Sequence, residues 1–297
     1  SKKNLFKISI FLFFISIFFL FLVPFIGTEI KGSKRWLDLF FLPRFQPIEL
    51  VKPFTIIFLA TILSSEKNSN IYYKFFVSFL VIVPIAFFLM MQPDIGQTLL
   101  IFLSWLTLVF ISGISLLVFF SFFVISLASL LYMVFFITKF GYIKNRILSF
   151  FNPSSGSHNF QSEKAIDAIT SGGFFGKGIG EGTLKNKVPE SHTDYIISVI
   201  SEEFGVVVII LLLFIFLLFI YRVFKKIYSE ENEKIKLVLA GTITLVVSQA
   251  LIHIGVNIRL FPTTGMTLPF LSYGGSSIIG VSILSGIILN LTKRKII

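Results

Sequence analysis

The sequence predicts an all-α, polytopic membrane protein with about eight transmembrane helices and one long extracytoplasmic loop. Three observations carry this. Hydrophobic residues make up 55% of the 297 positions, 39 of them Phe, and mean hydropathy is +0.91, a composition unlike that of soluble domains. Apolar runs recur at the length of roughly 18 to 20 residues that a hydrocarbon core demands. Charged residues, only 14% of the chain, gather between these runs. There is no cysteine, which excludes disulfides and thiolate metal sites.

Taken in order, the first span is expected at 5–25, preceded by Lys2, Lys3 and Lys7. It is too long for a signal-peptide core and has no cleavage site of the Ala-x-Ala kind, so it reads as a retained span. Residues 27–46 read as a polar loop with Lys31, Lys34, Arg35, Trp36 and Arg44. Pro47 suits the first turn of a helix, which places the second span at 47–63. A third span at 75–91 is interrupted by Gln92-Pro93-Asp94. Asp94 followed by Gln97 is a capping pattern, so a fourth span starts there and runs over 95–111. Ser112-Gly113 turns the chain into a fifth span at 115–138. Residues 139–193, with Pro153, a Ser/Gly cluster and a Gly-rich run, form the one long non-apolar loop, and a loop of that length in a compact protein is usually functional. Spans at 195–221, 237–258 and 270–291 complete a single integral membrane domain over 1–297.

An even number of spans puts both ends on one side. Lys2, Lys3 and Lys7 at one end and Lys293, Arg294 and Lys295 at the other place that side in the cytoplasm. The loops at 27–46, 139–193 and 259–269, and the Gln92-Pro93-Asp94 break, then meet on the outer side. The formal net charge of +11 fits anionic headgroups and phosphate-bearing ligands, and no nucleic-acid-binding motif is present.

The stretch 189–205 concentrates the chemistry. Glu190, His192, Asp194, Glu202 and Glu203 stand at the mouth of the apolar run that starts at Val206. Asp194, Ser198, Ser201, Glu202 and Gly205 share one helical face. A carboxylate at membrane depth costs about 2.5–3.5 kcal/mol even on insertion scales, which marks the stretch as a functional centre. The structural alternative is that Glu202 and Glu203 pair with a nearby lysine and hold the bundle.

Other motifs admit two readings. Glu49 and Lys52 at i, i+3 form either a self-neutralising pair or a lysine placed for phosphate. Lys34-Arg35-Trp36 is either an interfacial anchor or a phosphate clamp. The Gly-rich run 171–183 contains Lys177 but matches neither a Walker A loop nor a dinucleotide fingerprint. It reads as a tightly folded re-entrant or surface segment offering backbone amides to an anion. His253 reads as an interhelical hydrogen-bonding residue and His158 as a loop residue, and no zinc-type histidine spacing occurs. The run 262–277, with two prolines, glycines and hydroxyls including Ser276 and Ser277, reads as a broken, cavity-lining wall.

Together these motifs resemble the SEDS family (shape, elongation, division and sporulation) of bacterial membrane glycosyltransferases. The resemblance rests on Gly32-Ser-Lys-Arg-Trp36, Gln46-Pro-Ile-Glu49 with Lys52, Gln92-Pro-Asp-Ile-Gly96, Gly172-Gly-Phe-Phe-Gly-Lys-Gly178, Pro189-Glu-Ser-His-Thr-Asp194 with Glu202, Glu203 and Gly205, and the run 262–277. The last run is closer to the division branch than to the elongation branch. Ile48, His253 and Arg259 stand where the family usually has Ser, Asn and a small residue. The family usually has ten spans, two of them before the one that comes first here, so the chain reads as lacking the family's first two transmembrane helices.

The resemblance implies polymerisation of lipid II into glycan strands with release of undecaprenyl pyrophosphate, in the bacterial inner membrane and with the site on its outer side. It implies Asp194 as general base or as ligand of a divalent cation, Mg²⁺ or Mn²⁺. Lys34, Arg35, Lys52 and Lys177 are the diphosphate candidates, Glu49 would orient Lys52, and Glu190, His192, Ser276 and Ser277 would line the substrate site. The implied partners are lipid II, membrane lipid, a class B penicillin-binding protein and other division proteins. Broken helices and buried charge suit a lipid II flippase or transporter equally, and a non-catalytic division scaffold is the third reading.

Overall fold

The computed structural model describes residues 2–30, 32–40, 42–66, 70–151 and 160–293, without the side chains of 2, 3, 42, 139 and 142. Lys31, Pro153 and the Ser/Gly cluster after it, His158, Arg294 and Lys295 lie outside the described residues. The architecture is helical, and among the described residues six helices are long and apolar enough to cross a membrane. The chain forms two compact units. The first comprises Ser1–Phe122, Tyr221–Ser248 and Gly275–Ile297, and the second Phe123–Ile220 and Gln249–Gly274.

In the first unit, α1 (Lys2–Ile26) leads into a small antiparallel sheet of β1 (Thr28–Ile30), β2 (Ser33–Leu39) and β3 (Leu42–Phe45). Residues 27–46 are therefore not the plain loop expected. Thr28 pairs with Trp36 and Leu37 with Phe45, which fixes Lys34 and Arg35 on a strand. Then follow α2 (Pro47–Leu63), α3 (Ile71–Met91), α4 (Ile95–Ile111) and the start of α5 (Leu116–Phe136). The end of α8 (Ile196–Ser229), most of α9 (Glu233–Asn257) and α10 (Gly275–Thr292) belong here too.

The centre of this unit is α2. Pro47 opens it, at the position where a missing N–H costs nothing. It packs against α1, α3, α4 and α10, and little of its surface is left open. Close approach to α10 depends on Gly280, where a Cβ would come within 2.7 Å of the Glu49 carbonyl oxygen. Asp94 caps α4 by accepting from the Gln97 amide, at 3.3 Å, as the sequence pattern predicts. Trp105 is buried and donates its Nε1–H to Ser78 Oγ at 2.9 Å, tying α4 to α3.

The second unit carries α6 (Gly141–Phe151) and α7 (Phe160–Gly172), inside the region expected to be an unbroken long loop. Both helices are short and weakly apolar, so no hydropathy run announces them. The start of α8 packs through Ile197 on Ala250 of α9 and on Leu268. At 34 residues α8 is longer than the expected span, and it is broken at Gly205 (φ 76°, ψ −178°). Beyond the break it faces outward, with Ile210, Leu211, Phe214 and Leu217 exposed. The last helix, α10, begins at Gly275 rather than 270, because the segment before it has no regular structure.

Candidate active site

The turn before α8 presents Asp194. The Glu190 carbonyl accepts from three amides, those of Thr193, Asp194 and Tyr195, at 3.1, 3.0 and 3.2 Å. Glu190 reaches this geometry with φ 55°, and its Oε2 accepts from the Thr193 hydroxyl at 3.0 Å. The backbone of 192–194 is then held from the other side of the unit. Tyr273 N–H donates to the His192 carbonyl, Ser272 Oγ to that of Thr193, and Asn257 Nδ2 to that of Asp194, at 2.9, 2.6 and 3.1 Å. The three carbonyls of this short segment are thus all engaged, so the Asp194 side chain is mounted on a rigid base.

Asp194 is half-buried and lines a small cavity of about 40 Å³ with Arg146, Gln161, Tyr195, Val256 and the segment Thr263, Thr264, Gly265 and Met266. The carboxylate Oδ2 lies 3.6 Å from where a Cβ on Gly265 would sit, so the backbone there approaches the acid closely. Arg146 Nη1 donates to the Thr263 carbonyl at 3.1 Å, which fixes the guanidinium at the cavity. Both charges are felt by the buried Tyr195 phenol: burial first, then Asp194, push its pKa up, while Arg146 pulls it down. Tyr195 therefore stays a protonated, neutral neighbour. The cavity admits a group the size of a water molecule; a sugar hydroxyl enters, a sugar ring does not.

Glu202 and Glu203 do what the structural alternative described. Glu202 is fully buried and accepts from the amides of Leu184 and Lys185 at 2.9 and 2.6 Å, and from Lys177 Nζ at 3.4 Å. Glu203 pairs with Lys185 and accepts from the Gly180 amide at 3.1 Å. Lys177 is thereby committed to a carboxylate, and the Gly-rich run is fastened to α8. His192 is exposed, its ring edge-on to Tyr273.

The first unit gathers a different set. Lys52 Nζ lies 2.8 Å from Glu49, and Gln97 Nε2 donates to Glu49 Oε1 at 3.2 Å. All three side chains are buried. Arg35 grips the break between α3 and α4: its Nε donates to the Gln92 carbonyl, its Nη2 to that of Pro93, and its Nε stands 3.5 Å from Asp94 Oδ2. Ser276 accepts from the Gln46 amide at 2.9 Å and so joins α10 to the start of α2; Ser277 is buried beside it. Lys34 is exposed on β2.

Residues not anticipated from sequence are Arg146, Gln161, Tyr195 and Asn257. Arg146 follows Lys139 and Lys144 in a stretch read as loop, and only the α6 periodicity would have turned it toward a site. The residues do not fit a protein-built metal centre. No group of three His, Asp or Glu lies together among the described residues, and Asp194 shares its cavity with a cation and no second carboxylate.

A buried helical bundle with a rigidly mounted acid beside an arginine defines a multi-pass membrane protein with an enzyme-like site. The chain belongs to the FtsW/RodA/SpoVE family of cell cycle proteins, whose family model matches residues 1–296. It is 32% identical over 295 residues to the probable peptidoglycan glycosyltransferase FtsW of Caulobacter vibrioides, covering 99% of this chain and 74% of that protein. It is also 32% identical to the probable peptidoglycan glycosyltransferase FtsW of Haemophilus influenzae, over 96% and 73% of the two chains. Among solved structures it resembles a chain of a peptidoglycan synthase complex that coordinates polymerization and crosslinking, at 27% identity and TM-score 0.78, covering 98% and 82%. The rod shape determining protein RodA of Thermus thermophilus matches at 27% identity and TM-score 0.70, over 98% and 80%.

Proposed function

We propose that this chain is a peptidoglycan glycosyltransferase of cell division that polymerises lipid II, with Asp194 as general base. Family membership and FtsW relatives support the reaction class. The observation that carries the residue assignment is the mounting of Asp194: a half-buried carboxylate on a fully tethered turn, facing a hydroxyl-sized cavity.

The sugar hydroxyl of one lipid II attacks the anomeric carbon of the diphosphate-linked strand. Its proton passes to the Asp194 carboxylate, the new glycosidic bond forms, and the bond to the diphosphate oxygen breaks, releasing undecaprenyl pyrophosphate. Arg146 faces the same cavity and supplies positive charge there, while neutral Tyr195 adds no competing negative charge. Of the diphosphate candidates in the first unit, Lys34 is the exposed one. Arg35, Lys52 and Lys177 already hold internal partners, so their proposed part is to shape their surroundings. Glu190 and His192 act through the turn, and Ser276 and Ser277 through the α10–α2 junction. A divalent cation would meet Asp194 as one ligand among substrate phosphates, and no step above depends on one.

The proposed setting is the bacterial cytoplasmic membrane, with the Asp194 turn on the outer side, both ends of this chain in the cytoplasm, and a class B penicillin-binding protein and other division proteins as partners. Reconstituted protein carrying Asp194→Ala or Asp194→Asn, assayed separately for glycan strands and for translocation of labelled lipid II, tests the reading. Loss of strands supports it. Unchanged strand yield removes Asp194, and translocation without strand formation by the unaltered chain favours the flippase.

A further inference from the structure

The Gly-rich run does more than fasten to α8. It lies along that helix backbone to backbone across the Gly205 break. Lys177 and Gly178 amides donate to the carbonyls of Glu202 and Glu203 at 2.9 and 3.0 Å. In return the Val206 and Val207 amides donate to the carbonyls of Gly173 and Phe174 at 3.0 and 3.3 Å. A Cβ on Gly176 would lie 2.1 Å from the Glu203 oxygen, and one on Gly205 2.3 Å from that of Phe174, so the contact is closed to any larger residue.

This register sets Phe174 beside Val206 and Val207, where the lipid-facing surface of α8 begins. Phe174 and Phe175 are 73% and 85% exposed, and Val207, Ile210 and Leu211 continue the apolar surface along the helix. Lys177 and Lys185 pair with Glu202 and Glu203 of α8. The carbonyls of Gly173 and Phe174, costly to leave unpaired in hydrocarbon, are taken up by α8 amides. We infer that Phe174 and Phe175 insert into the acyl region of the bilayer leaflet at this end of α8, making the Gly-rich run a lipid-seated wedge. The occupant of this surface is lipid, because the patch is continuous with a membrane-spanning face and presents aromatic rings where interfacial anchors sit.

The chain has no cysteine, so single labels report cleanly. Nitroxides are placed at Phe174→Cys and Phe175→Cys, with Leu217→Cys on the exposed face of α8 and Glu181→Cys on the same loop as references, in phosphatidylcholine–phosphatidylglycerol nanodiscs. Collision with oxygen is compared with collision with a water-soluble nickel chelate. The expected oxygen-to-nickel ratio at 174 and 175 groups with that at 217. A ratio grouping with 181 puts the loop in water and overturns the inference. Suppression of both collisions at 174 and 175, relative to both references, means a protein surface covers the wedge and overturns it equally.

Discussion

Glu49 and Asp194 each sit near a cation, and their settings differ in kind. Glu49 in the first unit is 3% exposed, bonded to Lys52 and Gln97, and packed under Gly280 of α10. Asp194 in the second unit is half-buried, its backbone tethered through its own carbonyl and those of its neighbours, its carboxylate turned to a cavity shared with Arg146. A buried, internally satisfied pair holds helices in register. The turn that carries Asp194 is instead anchored through three backbone carbonyls, and its side chain lines a small cavity with Arg146. What separates them is burial: Glu49 lies inside the helix packing of the first unit, and Asp194 at the edge of a cavity in the second.

The sharpest way to break this contrast is to remove each acid's charge. Asp194→Asn is expected to cut lipid II polymerisation about 100- to 10,000-fold, the usual worth of a general base, with the melting temperature nearly unchanged. A stable variant with full polymerisation would collapse the distinction. Lys52→Met is the mirror experiment. It leaves the buried Glu49 without its counter-charge and should cost about 3–5 kcal/mol of stability, read as a lowered melting temperature in detergent. Glu49→Gln together with Lys52→Met should recover most of that loss and retain polymerisation. Inactivity of the stable double variant would assign Lys52 to substrate after all.

Smaller effects sharpen the picture. Gly205→Ala places a side chain at φ 76° and against the Phe174 carbonyl, and should cost at least about 1–3 kcal/mol from backbone strain alone; a neutral result would mean that loop and helix do not meet. Asn257→Ala removes the hydrogen bond to the Asp194 carbonyl and should lower stability by only about 0.5–1.5 kcal/mol. Its signature is a reduced kcat at unchanged KM, since it acts on the mounting of the base and not on substrate. A raised KM alone would deny Asn257 that part.

Much of the fold was legible because lipid imposes a simple rule: apolar runs near 20 residues become helices, and Pro47, Asp94 and Gln97 mark helix starts by chemistry that does not depend on neighbours. Asp194 was legible for a related reason, as an acid where acids are costly. What escaped was built from contacts between distant segments. The strands at Ser33–Leu39 and Leu42–Phe45 are too short and mixed to show alternation, and α6 and α7 lack an apolar run. Arg146 and Asn257 matter because of Thr263 and Asp194, residues far along the chain in each case. The Glu49–Lys52 pair was one of the two readings of their i, i+3 spacing, whereas Lys177 looked available for phosphate because Glu202, far along the chain, meets it only in the fold.

The exchange of hydrogen bonds at the Gly205 break makes 173–178 and the middle of α8 a single cooperative element. Peeling the loop away would leave the Val206 and Val207 amides without their acceptors. Deuterium uptake at those two positions should therefore keep pace with uptake in the Gly-rich run, as one opening event. A helix that borrows its missing acceptors from a surface loop reports, amide by amide, on whether that loop is seated.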